Sequence, residues 1–348
     1  MMGNKRIVGT SLTLNPDFDL MKAAGIQWLR IGFEYPFEDE IGGALSGQFI
    51  ENLRQAKEIR ALGFKLMGIT PLSGIMGFDP QKGNEGSWMP GIPSWAGSYD
   101  EDDFYEAYEE GCAEMARQTT GIVDLWQVSN EMDIPEFRGP MAPEQAVRFL
   151  LAGGNGIRKG NPDVMCGINP SGINTTIGMW LFEQLYSPEG HPFGYAGIDG
   201  YFGSWIPGGP QDWILWIDEI FRVTAKPVLI NEWGYSSMGG LPKATTEKIQ
   251  PGVNTVCHIL AWHYAWKEGH TEKEQGEYLG TALRIFGTYP NVLGSFLYSW
   301  RDDAACWHCG QAGCPAECGW GIIRADGVPK SSYYDFQDAV AKHYGTGN

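Results

Sequence analysis

Two glutamates close short apolar runs with the same final dipeptide. One run reads Trp126-Gln127-Val128-Ser129-Asn130-Glu131, the other Pro227-Val228-Leu229-Ile230-Asn231-Glu232-Trp233. A carboxylate at the end of a buried strand costs free energy unless it is paired or used. Either glutamate alone could be a solvated loop acid, but two in matched settings suggest a working pair. Carboxyl groups about 5 Å apart can share a double displacement, one attacking carbon while the other gives and then withdraws a proton. Beyond about 6.5 Å they would instead flank a water. Two negative charges so close disfavour ionisation of both, which suits one acid and one base.

A second cluster carries thiols. Cys306, Cys309, Cys314 and Cys318 fall within 13 residues. Four thiolates can close one tetrahedral zinc site, leaving no open position for catalysis. Two disulfides are the rival reading, with three pairings open to four cysteines. Either arrangement would pin the loop that carries them. Cys112, Cys166 and Cys257 are scattered and read as small buried hydrophobes. Trp88, Trp95, Trp205 and Trp233 lie in or beside strand-end loops. Each could be a flat platform for an apolar ring face or could simply pack in the core. Asp133 and Glu136 follow the first glutamate and could hydrogen-bond sugar hydroxyls, but solvated loop acids are the expected reading of both.

Positioning these groups requires a regular frame. Short β-rich runs alternate with longer helical patterns, which implies βαβ units and a parallel sheet. Eight strands are expected: 6–10, 27–33, 64–70, 124–129, 164–169, 198–202, 227–230 and 293–299. Helices are expected at 16–24, 46–62, 101–118, 143–158, 177–186, 211–223, 273–288 and 331–344. In the second of these Ile50, Leu53, Ile59 and Leu62 are expected on one face. A long Gly/Pro/Trp-rich loop should link the third strand to Tyr99. Eight such pairs predict a single (β/α)8 barrel over residues 1–348, with a Cys-rich loop at 301–323. An open doubly wound sheet would show a Gly-rich phosphate turn after its first strand, but Gly9-Thr10-Ser11-Leu12 is not one. In a barrel, functional groups gather at the C-terminal ends of the strands, where Glu131 and Glu232 stand on strands four and seven.

Composition narrows the partners. The 348 residues are 43% hydrophobic, ample for a large core. A net charge of −17 argues against nucleic acid and anionic membranes. A neutral sugar polymer fits, and the 14 Trp offer stacking faces. Met1-Met2-Gly3-Asn4-Lys5-Arg6 leads into a strand-like run without a long apolar segment, so a signal peptide is not expected in this chain. The default is then cytoplasmic, or secreted if the chain has been trimmed, and a reducing setting favours metal over disulfides. No run is long enough to predict a membrane span.

The two acids at strands four and seven resemble clan A of the glycoside hydrolases, of family 5-like or family 39-like type. Ser129-Asn130-Glu131 is similar to the clan's acid/base motif, and Ile230-Asn231-Glu232-Trp233-Gly234 to its nucleophile motif. The resemblance implies that Glu131 is the acid/base, Glu232 the nucleophile, and Asn130 a contact to the sugar 2-hydroxyl. It also implies that Arg30, in Leu29-Arg30-Ile31, holds Glu232 ionised, and that Trp300, in Ser299-Trp300, floors the sugar site. The segment from Gly319 to Tyr334 resembles the clan's closing segment. Two motifs depart from family 5. Ile69-Thr70-Pro71 lacks its strand-three His, and Ile198-Asp199-Gly200-Tyr201 stands where His-x-Tyr is usual. Tyr201 is the candidate to touch the nucleophile, and Trp205 a candidate platform beside it.

The implied activity is retaining hydrolysis of a β-linked oligo- or polysaccharide, with no catalytic cofactor and a possible structural zinc. A non-catalytic sugar-binding barrel would need one acid replaced, and neither is. A metal-dependent lyase or isomerase would need acids or histidines at successive strand ends, where Thr70, Asn169 and Phe202-Gly203 stand instead. Transglycosylation shares the covalent intermediate and stays open.

Overall fold

The computed structural model describes residues 6–76, 88–241 and 255–345. The N-terminal Met1–Lys5 stretch, part of the expected loop before Tyr99 (77–87) and part of the long segment after strand seven (242–254) lie outside them. Eight parallel strands form one sheet: β1 (Ile7–Ser11), β2 (Trp28–Gly32), β3 (Lys65–Ile69), β4 (Leu125–Gln127), β5 (Met165–Gly167), β6 (Ala196–Gly200), β7 (Val228–Trp233) and β8 (Val292–Leu297). Their order is β5-β4-β3-β2-β1-β8-β7-β6. The first strand thus pairs with the last, which an open doubly wound sheet would not do. Backbone bonds from Gly194 N to Cys166 O (2.8 Å) and Asp199 N to Pro170 O (2.9 Å) bridge the remaining seam. The architecture is a (β/α)8 barrel.

The longer helices are α1 (Phe18–Ala23), α2 (Gly47–Ala61), α3 (Asp102–Gln118), α4 (Pro143–Gly160), α5 (Gly178–Tyr186), α6 (Trp213–Thr224), α7 (Glu272–Thr288) and α8 (Ser331–Tyr344). Ser46 caps α2 by accepting from Phe49 N at 3.2 Å. The buried stripe of α2 is Phe49, Leu53, Ala56 and Ile59. Ile50 and Leu62, expected on that face, are exposed. Helical spacing explains the correction: Ile50 precedes Leu53 by three residues but falls to the edge of a stripe centred on Phe49 and Ala56. Gly156 and Gly160 let α4 close on α3, since a Cβ there would sit 2.2 and 2.1 Å from the Glu109 and Ala113 carbonyls. Among the described residues, no helix is long and apolar enough to cross a membrane.

Alternation along the strands layers the barrel interior. The lower layer is apolar and clusters Ile7, Met67, Leu125, Tyr195, Leu229 and Phe296. Two residues further along β4 stands Gln127, and above β2's Trp28 stands Arg30, both fully or nearly buried. A polar layer therefore rests directly on the apolar one, and the candidate site rests on that. β7 runs further than expected, through Trp233, and its pairing with β6 shifts register between Ile230 and Glu232. Such a bulge re-aims side chains, as they often do beside active sites. Here two consecutive residues, Asn231 and Glu232, both reach interior partners.

Candidate active site

Arg30 organises the site from β2. Its guanidinium donates Nε to Gln127 Oε1 (2.9 Å) and Nη2 to Asn130 Oδ1 (2.8 Å). Nη1 lies 2.6 Å from Glu232 Oε1 in a buried ion pair. Asn231 Nδ2 donates to the same Gln127 oxygen at 2.8 Å, which ties β7 to β4. The second Glu232 oxygen accepts from the Tyr201 hydroxyl at 2.5 Å. Both carboxylate oxygens are thus oriented by the protein. Removing one member of such a buried pair typically costs about 3–5 kcal/mol.

Asn130 is fixed in turn. Its Oδ1 accepts from Arg30, from Asn169 Nδ2 (2.8 Å) and from Gln127 Nε2 (3.2 Å). That leaves Nδ2 as the donor of a residue that lines the cavity. Its neighbours carry backbone strain: Ser129 has φ 58° and Glu131 φ 40°. Left-handed conformations cost roughly 1–2 kcal/mol for residues other than glycine. Ser129 N is held by Thr70 Oγ1 at 2.8 Å and Glu131 N by Asn169 O at 3.2 Å. β4 accordingly stops at Gln127, two residues before the expected end.

Glu131 and Glu232 line one cavity of about 400 Å³, together with Tyr201, Trp205, Tyr298 and Trp320. Burial raises the Glu131 carboxyl well above its ordinary range, and the nearby charges of Glu232, Asp133 and Glu136 add to this against Arg30. A second cavity of about 530 Å³, walled by Phe33, Leu72 and Met89, shares Asn130 and Glu232 with the first. No Lys or Arg is among the described residues lining the first cavity.

Sequence reasoning assigned no role to Asp199 on β6, although it stands in the departing Asp-x-Tyr motif. It is fully buried, and its Oδ2 accepts from Asn169 Nδ2 at 2.7 Å. Burial, then Glu232 and Glu131, push its carboxyl well up. A carboxyl in a strand that ends at the barrel mouth was the available signal. Asp199 supports Asn169, which supports Asn130. Glu317, Trp307 and Trp320 were also missed as cavity residues. Glu317 accepts from Tyr298 Oη at 3.0 Å and lies 3.1 Å from His308 Nε2. Trp307 is exposed and stacks on His308 with ring centroids 3.5 Å apart.

Several expected positions are corrected. Trp233 is fully buried behind β7, its ring 5.1 Å from that of Phe286 on α7. It follows Glu232 directly and takes the opposite face of the strand. Trp300 is fully buried too and packs on Tyr333 of α8. Neither lines the cavity, and Tyr298 and Trp320 stand there instead. Trp88 fits against Gly139, where a Cβ would meet its ring at 2.5 Å, and Trp95 donates to Glu38 O. Asp133 is a buried brace, not a loop acid in water, accepting from Ser171 N, Ser171 Oγ and Thr175 Oγ1 at 2.8, 2.8 and 2.6 Å. Glu136 does line the cavity.

The cysteine cluster also differs in membership. The sulfurs of Cys257, Cys306, Cys309 and Cys314 lie within 4.8 Å of one another. Cys318 is not in this group, and its Sγ faces Gln311 O at 3.8 Å. Cys318 ends the short helix Pro315–Cys318, one turn beyond Cys314. Cys257, read as a buried hydrophobe, takes the fourth corner from the segment after β7.

No protein-family model matches the chain, and no curated protein matches it significantly. Solved structures do resemble it. The Bacteroides uniformis β-glucuronidase superposes with a TM-score of 0.61 at 15% identity, over 97% of this chain and 35% of that one. Bacteroides uniformis β-glucuronidase 2, covalently bound to cyclophellitol-6-carboxylate aziridine, gives 0.59 at 15% identity over the same shares, 97% and 35%. The GH53 catalytic domain of Ignisphaera aggregans gives 0.61 at 17% identity, over 95% of this chain and 90% of that one. The chain spans about a third of each glucuronidase's length. At these identities the likeness is one of fold.

Proposed function

We propose that the chain is a retaining glycoside hydrolase acting on a neutral, β-linked oligo- or polysaccharide. The carrying observation is the asymmetry of the two acids at one cavity. Glu232 has both oxygens held by Arg30 and Tyr201, while burial and neighbouring carboxylates raise the Glu131 carboxyl well above its ordinary range. In the first step a Glu232 oxygen attacks the anomeric carbon, and Glu131 protonates the departing glycosidic oxygen. The resulting ester neutralises Glu232, so Glu131 can remain ionised and take a proton from water in the second step. Asn130 Nδ2 is placed to donate to a sugar hydroxyl in both steps. The clan A motifs and the fold shared with the two glucuronidases support this reading. The two cavities meeting at Asn130 and Glu232 support a substrate that extends on both sides of the cleaved bond.

The substrate is expected to differ from that of the glucuronidases. A uronate carboxylate buried without a cation costs about 3 kcal/mol or more, roughly 100-fold at 1.4 kcal/mol per factor of ten. Among the described residues the first cavity is lined by no Lys or Arg, its His308 lies against Glu317, and Arg30, which borders the second cavity, is already paired with Glu232. Aryl β-glucoside, β-mannoside, β-galactoside and β-glucuronide compared at equal leaving group test this. At least one neutral glycoside should exceed the glucuronide in kcat/KM by roughly 100-fold. Preferred cleavage of the glucuronide would overturn the substrate class, and failure on every glycoside and on β-glucan and β-mannan would overturn the activity.

A further inference from the structure

We infer that Cys257, Cys306, Cys309 and Cys314 bind one zinc ion, which fastens the segment after β7 to the loop after β8 and so fixes one wall of the cavity. Cys257 lies on the short helix Thr255–Ile259, and the other three follow β8. A tetrahedral ion with Zn–S bonds of about 2.3 Å sets its sulfurs about 3.8 Å apart. The Cys257 sulfur lies 3.8 Å from that of Cys306 and 3.7 Å from that of Cys314. These separations are far beyond a disulfide bond of about 2.05 Å and match the edges of a thiolate tetrahedron.

The surroundings suit charged sulfurs. The backbone N–H groups of His308 and Cys309 are turned to the Cys306 sulfur, and that of Ala316 to the Cys314 sulfur. Such donors stabilise thiolates and orient them toward a metal. Cys306-Trp307-His308-Cys309 is also a C-x-x-C turn, closed by Gly310 N donating to Cys306 O at 2.7 Å. Cys257, Cys306 and Cys314 are buried and Cys309 half-buried. Four thiolates fill the zinc sphere, so the ion is structural and has no place for water or substrate.

The consequence reaches the cavity through the chain itself. Trp307 and His308 lie between two of these ligands, and Glu317 and Trp320 follow the last. All four line the cavity with Glu131 and Glu232.

The test is elemental analysis of the full chain purified under reducing conditions, which is independent of whether the cavity cleaves glycosides. About one zinc per chain is expected, as a closed four-ligand site requires. Cys257→Ser should lose it and Cys318→Ser should keep it. Should Cys257→Ser not fold, the wild-type chain serves: a mercurial thiol reagent should release the zinc, and cobalt substitution should give a tetrahedral thiolate spectrum. Metal-free wild-type chain, iron in place of zinc, or zinc kept by Cys257→Ser and lost by Cys318→Ser would each overturn the assignment.

Discussion

Glu232→Ala should lose essentially all turnover, by roughly 10⁵-fold or more, the scale on which deleting a covalent nucleophile disables a coupled catalytic unit. Glu131 follows a different strand, Asp199 is buried with its Oδ2 committed to Asn169, and Glu317 is held by Tyr298. The variant should still fold, because the apolar layer beneath is untouched, although Arg30 loses its buried partner. Added azide should restore some turnover of a dinitrophenyl glycoside by entering the space that the carboxylate leaves. Its product should have the anomeric configuration opposite to that of the substrate, since azide then displaces the leaving group directly.

Glu131→Ala should fail differently. Loss of a general acid and base typically costs about 10²–10⁴-fold. Poor leaving groups, which need protonation to depart, should bear most of that loss. A dinitrophenyl glycoside should still form the glycosyl-enzyme, then stall for want of a base. Azide needs no base and should release a glycosyl azide that retains the substrate's configuration. The pH profile gives a second readout. Burial and neighbouring carboxylates raise the Glu131 carboxyl, so the acid is intact below that raised value, and kcat/KM should fall as pH rises through it. In Glu131→Ala this falling limb should disappear. Reversed azide configurations in the two variants would exchange the two roles.

Much of this site is legible in the sequence because barrels place function at strand ends, so an Asn-Glu closing an apolar run marks a position as well as a chemistry. Arg30 and Tyr201 were reached through motif resemblance, and the structure brings both to Glu232. What was hidden depends on single-residue phase. Trp233 is one step out of register with Glu232, and alternation buries it against α7, while Trp300 lies beyond the end of β8 and packs on Tyr333 of α8. The β7 bulge, which allows Asn231 and Glu232 both to reach the interior, leaves no mark in the local pattern of apolar residues. Asp199 was overlooked although its strand ends at the barrel mouth, because the burial that raises its carboxyl shows only in its surroundings. Cys257 lies 49 residues before Cys306, so spacing alone favoured Cys318, which was near in sequence but faces elsewhere.

Double displacement at Glu232 is most directly tested by the stereochemistry of the wild-type reaction. A neutral β-glycoside that the chain hydrolyses should be followed by proton NMR from the first seconds, before the free sugar mutarotates. Glu131 and Glu232 acting through a covalent intermediate require the β-anomer to appear first and the α-anomer to grow in only at the rate of mutarotation. First appearance of the α-anomer would mean a single displacement by water, and Glu232 would not be the nucleophile.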